Sequence, residues 1–277
     1  MRQRLTAVCG GTDEMKARLF AFLAKSSISP LRLGDETISV ETARALLREL
    51  IPATIEVRDV CTASLAVVAA APHVSFDNWS EYFCNRVARR LGLGRVIAQN
   101  FRDHDPHSIP VSIGRFLHVN RPTESKGPGR RERETERALA AFEEYTAALA
   151  RASGRERLPL DLLIEFHSHR RSARIEIATT GVSNALASHL CERYAKRRTR
   201  TDCLPPLRVE PLHRLTLAAR AAKQVGSLQV SVTRCALHIE IPSEGRHSEE
   251  ARTACSDALV ELVNETIQRV NSTSESE

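Results

Sequence analysis

The sequence predicts an α/β fold, a mixed, mostly parallel sheet with helices on both faces. Three observations carry this. The run Ser64–Ala71 is continuously apolar, as in a strand buried on both faces. Downstream, strand-like stretches alternate with helix-like ones. The chain has 277 residues of which 42% are hydrophobic but only 4% aromatic, enough for a sizeable core built from Ala, Leu, Val and Ile.

Element by element, residues 1–63 contain two helical patterns, Glu14–Lys25 and Ser39–Leu50. They are expected to form an N-terminal appendage, mainly helical. Residues 64–270 are expected to form the main domain. After the strand Ser64–Ala71, Asn78–Leu91 reads as a helix that Asn78 or Asp77 could cap. Arg95–Gln99 reads as a strand and Arg131–Ala152 as a long amphipathic helix. Leu160–Phe166 and Arg174–Thr179 are strand-like, Val182–Ala195 and Leu215–Gln224 helical. Leu228–Val232 and Ala236–Ile241 read as strands, and Ser248–Val270 as the last helix. The polar segment 271–277 is expected to be a disordered tail.

Composition excludes several classes. No apolar run approaches the roughly 18 residues that a membrane span needs, so no membrane association is expected and a cytoplasmic location is. Seven scattered cysteines with no CxxC pair argue against a disulfide framework and a thiolate metal cluster. Net charge is +6, carried mostly by arginine, with local groups at Arg130–Arg133, Arg170–Arg171 and Lys196–Arg200. No aromatic residues interleave with these groups to stack on bases, so no nucleic-acid partner is expected. The Arg content reads as compositional.

In open α/β sheets, sites form where strands give way to loops. Three such ends carry ionisable residues: His73 to Asp77, Glu165 to His169, and His238 to Glu240. A fourth segment, Arg115 to Pro122, lies between the first two. Two histidines and a carboxylate, with a further carboxylate nearby, are what a hydrolytic metal centre needs: ligands for the ion and a base for water. His73 and His167 are the nitrogen ligands in this reading, Asp77 the oxygen ligand and Glu240 the base. Arg121 with Asn120 would clamp a carboxylate, which the guanidinium fork matches. Each residue also has a plainer reading: a strand-end histidine can be structural, Asp77 can cap a helix, and Arg121 can be a surface residue in a turn. His118, His169 and His238 are read as supporting residues. Glu165 and Glu176 are read as ordinary strand positions.

Taken in order, the motifs resemble the N-formylglutamate amidohydrolase family, which is similar in turn to zinc carboxypeptidase-like hydrolases. They are Pro-His followed by an acidic residue, Arg-x-x-x-x-Asn-Arg-Pro, an acidic-x-His-Ser strand end, and an apolar-Glu-apolar strand. The likeness spans Ala71 to Pro242. It implies zinc-dependent cleavage of an amide bond in an N-acyl amino acid or related small carboxylate-bearing amide. His73 and His167 would match the two histidine ligands, Asn120, Arg121 and Arg115 the substrate-binding residues, and Glu240 the catalytic glutamate. The pattern departs where carboxypeptidase-like enzymes have Glu three residues after the first histidine. Here that position is Phe76, and Asp77 would substitute. The alternatives are a non-catalytic binding or regulatory protein on the same fold, and nucleic-acid binding through the Arg groups.

Overall fold

The computed structural model describes residues 1–11, 14–15, 18–19, 21–22, 30–50, 53–100, 116–125, 131–155, 157–201 and 203–274. Arg115 and much of the stretch Glu14–Lys25 lie outside these residues.

The chain opens with α1 (Arg2–Cys9), the hairpin β1 (Leu31–Leu33) and β2 (Glu36–Ile38), and α2 (Val40–Leu50). Leu5, Met15, Leu19, Leu33, Ile38 and Leu46 close a small apolar cluster of their own. Next come β3 (Ala53–Asp59), β4 (Val67–Ala71), α3 (Ser80–Leu91) and β5 (Gly94–Asn100). A small sheet follows, of β6 (Phe116–Leu117), β7 (Thr123–Ser125) and β8 (Arg133–Glu134). Then come α4 (Glu136–Ala152), β9 (Leu160–Ser168), β10 (Ile175–Thr180), α5 (Asn184–Arg198), β11 (Leu207–Val209), α6 (Arg220–Val225), β12 (Thr233–Ile241) and α7 (Glu249–Ser274). No described helix is long and apolar enough to cross a membrane.

The main sheet has seven strands in the order β11-β10-β12-β9-β4-β5-β3. It is mixed and mostly parallel: β10 runs antiparallel to β12 and β3 to β5, while the other four pairings are parallel. Period-two alternation divides each central strand between two cores. Val67, Ala69, Leu162, Ile164, Leu237 and Ile239 face one side, where α3, α5 and α7 cover them. Val68, Ala70, Leu163 and Ala236 face the other, against Ala141, Tyr145 and Leu149 of α4. The expected helices on both faces are therefore present.

Several elements differ from expectation. Residues 53–59, assigned to the appendage by sequence, form the edge strand β3 of the main sheet. Their alternation of Ile55 and Val57 with exposed Glu56 and Arg58 fits a strand covered on one face. Leu228–Val232 is not a strand. Its apolar side chains are buried at Leu228 and Val232, but the backbone closes on itself through Val232 N–H to Gln229 O, 2.9 Å. The helix expected over Leu215–Gln224 shrinks to Arg220–Val225. The long helix starts only at Glu136, where the Thr135 hydroxyl caps the Ala138 N–H. Residues 271–274, expected in a disordered tail, are the last turn of α7. Gly94 has a packing role: a Cβ there would sit 2.0 Å from the Ala152 carbonyl oxygen, so only glycine lets β5 pass the end of α4.

Candidate metal centre

The site lies at the C-terminal ends of β4, β9 and β12, which run parallel side by side in the middle of the sheet. On β9 the face shared with Leu163 also carries Glu165 and His167; on β12 the face shared with Ala236 carries His238 and Glu240. The register sets His238 beside Glu165 and Glu240 beside His167. Four polar side chains thus form two rows where the same face is apolar further back.

His73 follows the end of β4 in a turn closed by Asp77 N–H to the His73 carbonyl, 2.8 Å. Helix α3 then begins at Ser80 behind Trp79, a left-handed residue at φ 71°, with no side-chain cap. Asp77 is therefore not spent on the helix terminus. Its Oδ2 lies 2.9 Å from His167 Nδ1 and 3.7 Å from His73 Nδ1, and the two Nδ1 atoms are 3.2 Å apart. These three atoms belong to buried or nearly buried side chains and converge on one point. A tetrahedral ion with bonds of roughly 2.0–2.1 Å spaces its ligand atoms about 3.3 Å apart, so the triangle has the dimensions of a ligand set. Burial depresses the His73 pKa, which leaves a neutral imidazole with a lone pair to offer. Burial works against the charge on His167, yet hydrogen bonds with Asp77 and Glu165 and the Glu240 charge outweigh it and raise its pKa to about 10. Asp77 is likewise held below the carboxylate range: burial opposes this, but hydrogen bonds from His167 and His73 prevail.

A second cluster, Glu165, His167 and His238, overlaps the first. Glu165 is wholly buried and its oxygens are saturated. Oε1 accepts from the Tyr145 hydroxyl at 2.9 Å and the Ser227 hydroxyl at 2.7 Å; Oε2 accepts from Asn120 Nδ2 at 3.1 Å and lies 3.1 Å from His238 Nδ1. An atom so engaged has no open position for an ion. It lies 3.5 Å from His167 Nε2, which places Glu165 as the carboxylate that fixes the ring and leaves Nδ1 facing Asp77. Burial would raise the Glu165 pKa, but His167 and His238 hold it well below the usual value. His238 continues the chain outward, with Nε2 3.4 Å from Glu240 Oε1. Glu240 is nearly buried, and burial again opposes its charge. The His238 hydrogen bond and the His167 charge keep its pKa below the ordinary value, so it is a carboxylate at neutral pH.

His73, Asp77, His167, His238 and Glu240 open onto a cleft of about 1090 Å³. Arg121 lines it too, but Asn120 does not: Asn120 is fully buried and bound to Glu165. Arg121 already grips a carboxylate, with Nε and Nη2 at 2.8 and 2.7 Å from the two oxygens of Glu132. Thr123 Oγ1 donates to the same group, and His118 Nε2 stands 3.6 Å from it. Sequence reasoning thus brought His73, Asp77, His167, Glu240 and Arg121 to one cleft. It read His238 as a supporting residue and Glu165 as an ordinary strand position, and it passed over Tyr145 and Ser227. The alternation Ala236, His238, Glu240 was the available signal for His238, whereas nothing in sequence links Tyr145 or Ser227 to the site.

No protein-family model matches the chain, and no curated protein gives a significant match. Among solved structures the fold is similar to a bacteriophage poly-gamma-glutamate hydrolase, at 10% identity and TM-score 0.46, covering 79% of this chain and 91% of that one. It is similar also to a gene product of Agrobacterium tumefaciens, at 13% identity and TM-score 0.42, covering 79% of this chain and 94% of that one. A metallo-carboxypeptidase from Burkholderia cenocepacia matches at 12% identity and TM-score 0.36, covering 85% and 70%. These likenesses are too distant to assign chemistry, which rests on the side chains themselves.

Proposed function

We propose that the protein is a zinc-dependent hydrolase that cleaves an amide bond in an N-acyl amino acid or related small carboxylate-bearing amide. The convergence of His73 Nδ1, His167 Nδ1 and Asp77 Oδ2 at 2.9–3.7 Å carries this reading. The donor set fits the ion. Two imidazoles and one carboxylate suit zinc, and the site opens on a cleft that admits water and substrate. Three carboxylates (Asp77, Glu165 and Glu240) within one buried cluster also call for positive charge. A zinc ion held by His73, Asp77 and His167 would polarise the amide carbonyl and acidify water.

The chain's own residues supply the rest. Glu240, beside His167 and steadied by His238, accepts a proton from the attacking water and returns it to the departing amine nitrogen. The water oxygen adds to the amide carbon, the C–N bond then breaks, and the new acid's remaining proton passes to the amine, giving a carboxylate and an ammonium. Glu165 holds His167 and His238 in place from below.

Arg121 is the residue for the substrate's carboxylate, and its two-pronged grip on Glu132 has the geometry it would use. A substrate carboxylate would take the place of Glu132. On an N-acyl glutamate, Arg121→Lys should raise KM by about tenfold or more, the worth of one charge-assisted hydrogen bond. Glu132→Gln should lower KM by weakening the competitor. An analogue with its carboxylate amidated should respond to neither change. Equal responses of both substrates would remove Arg121 from the site. Failure of the wild-type chain to release amine from any N-acyl amino acid would contradict the reaction itself.

A further inference from the structure

Among the described residues six arginines line the cleft, and two acids do, Asp77 and Glu240. Arg121 is paired with Glu132. The other five (Arg170, Arg171, Arg208, Arg214 and Arg220) have no carboxylate partner among the described residues, and the first two and last two are exposed. Five uncompensated guanidinium groups around one opening repel one another, and a chain gains nothing in stability from gathering them there.

Buried anchors hold the two segments that bear them. His169 is nearly buried; its Nδ1 accepts the Arg171 N–H at 3.1 Å and its Nε2 lies 3.2 Å from the Arg174 carbonyl. Arg246 Nη2 donates to the His169 carbonyl at 3.1 Å. On the other side Glu176, 1% exposed, accepts the N–H groups of Thr216 and Leu217 through one oxygen, both at 2.8 Å. That fixes the stretch between Arg214 and Arg220. Arg208 Nη1 reaches the Arg214 carbonyl at 3.3 Å. The guanidinium groups thus stand on tethered backbone.

We propose that the cleft takes an extended acidic polypeptide, with several side-chain carboxylates seated on Arg170, Arg171, Arg208, Arg214 and Arg220 while one amide bond lies at His73, Asp77 and His167. The proposal rests on the amide hydrolysis argued above and extends its substrate from one carboxylate to many. Arginine forks match carboxylates and phosphates alike. Two features select the polypeptide. Among the described residues Phe76 is the one aromatic ring other than histidine lining the cleft, too little to stack a run of bases. An acidic polypeptide also brings both the negative charges and the amide bond, whereas nucleic acids and polyphosphates offer no backbone amide.

Fluorescence anisotropy of a short labelled oligoglutamate on the full zinc-loaded chain tests this, with oligoglutamine and single-stranded DNA of equal length as comparators. Oligoglutamate should bind, and the uncharged peptide should bind at least about tenfold more weakly. The double variants Arg170→Gln/Arg171→Gln and Arg214→Gln/Arg220→Gln should each weaken oligoglutamate about tenfold or more, the value of one charge-assisted contact. Their circular dichroism should not change, since these side chains have no carboxylate partner among the described residues. DNA binding as tight as oligoglutamate and equally sensitive to the variants would overturn the proposal in favour of a nucleic-acid surface. So would oligoglutamate binding that ignores all four arginines. If the proposal fails while a small N-acyl amino acid is still cleaved, the hydrolase reading stands. If oligoglutamate binds through the arginines but no amide is ever cut, that reading falls and the anion site remains.

Discussion

Glu240→Gln is expected to lower turnover by about 10²–10⁴-fold, the usual contribution of a positioned general base, while zinc content and melting temperature stay near wild type. Glutamine keeps the shape and can still meet His238 Nε2, 3.4 Å away, but it cannot take a proton. Glu240 is not among the three atoms that converge as ligands, so the ion should remain. Burial opposes the Glu240 charge, but the His238 hydrogen bond keeps its pKa below the ordinary value, so the base is ionised at neutral pH. The wild-type rate should therefore hold through neutral pH and fall only on acidification into the carboxylate range. A Gln variant with undiminished turnover would remove Glu240 from the reaction.

Glu165→Leu is expected to have the largest effect on stability, about 3–5 kcal/mol, the cost of removing one partner from a buried charged network. Tyr145, Ser227, Asn120 and His238 would all lose their common acceptor. The milder Glu165→Gln should weaken zinc binding by roughly 10–100-fold, because His167 loses the carboxylate that orients it. The sign of the pH dependence follows from the depressed pKa. A carboxyl that ionises more readily folded than unfolded stabilises the fold above its ordinary value of 4.5, and that contribution is lost as pH falls through the lower folded value. With zinc chelated, the wild-type melting temperature should drop on acidification below about pH 4.5. Glu165→Gln should show a smaller drop; an identical drop would contradict a charged Glu165 at the centre of the network.

The sheet was legible because its central strands are written as unbroken or alternating apolar runs, such as Leu160–Phe166 and Ala236–Ile241. Strand β3 was hidden by its position: it follows α2 directly and is half polar, as an edge strand can be. Leu228–Val232 misled because apolar residues that plug a core from a turn have the composition of a strand. At the site, His73, His167 and Glu240 could be read as polar residues ending apolar runs, and Asp77 only as one of two possibilities until the helix was seen to start at Ser80 without it. Asn120 looked like a substrate contact because it precedes Arg121, yet it is buried, its Nδ2 donating to Glu165 and its Oδ1 accepting from Arg121 Nη1 at 3.4 Å, and only Arg121 reaches the cleft. Arg170 and Arg171 looked compositional because Arg208, Arg214 and Arg220, which join them at the cleft, are far away in sequence.

The central claim is that His73, Asp77 and His167 hold one metal ion, and native mass spectrometry of the purified chain tests it most directly. The wild-type mass should exceed the polypeptide mass by one zinc ion per chain, with Glu240→Gln retaining it and His73→Ala and His167→Ala each losing most of it. A wild-type chain that takes up no zinc when supplied with it, or histidine variants that retain it in full, would contradict the account.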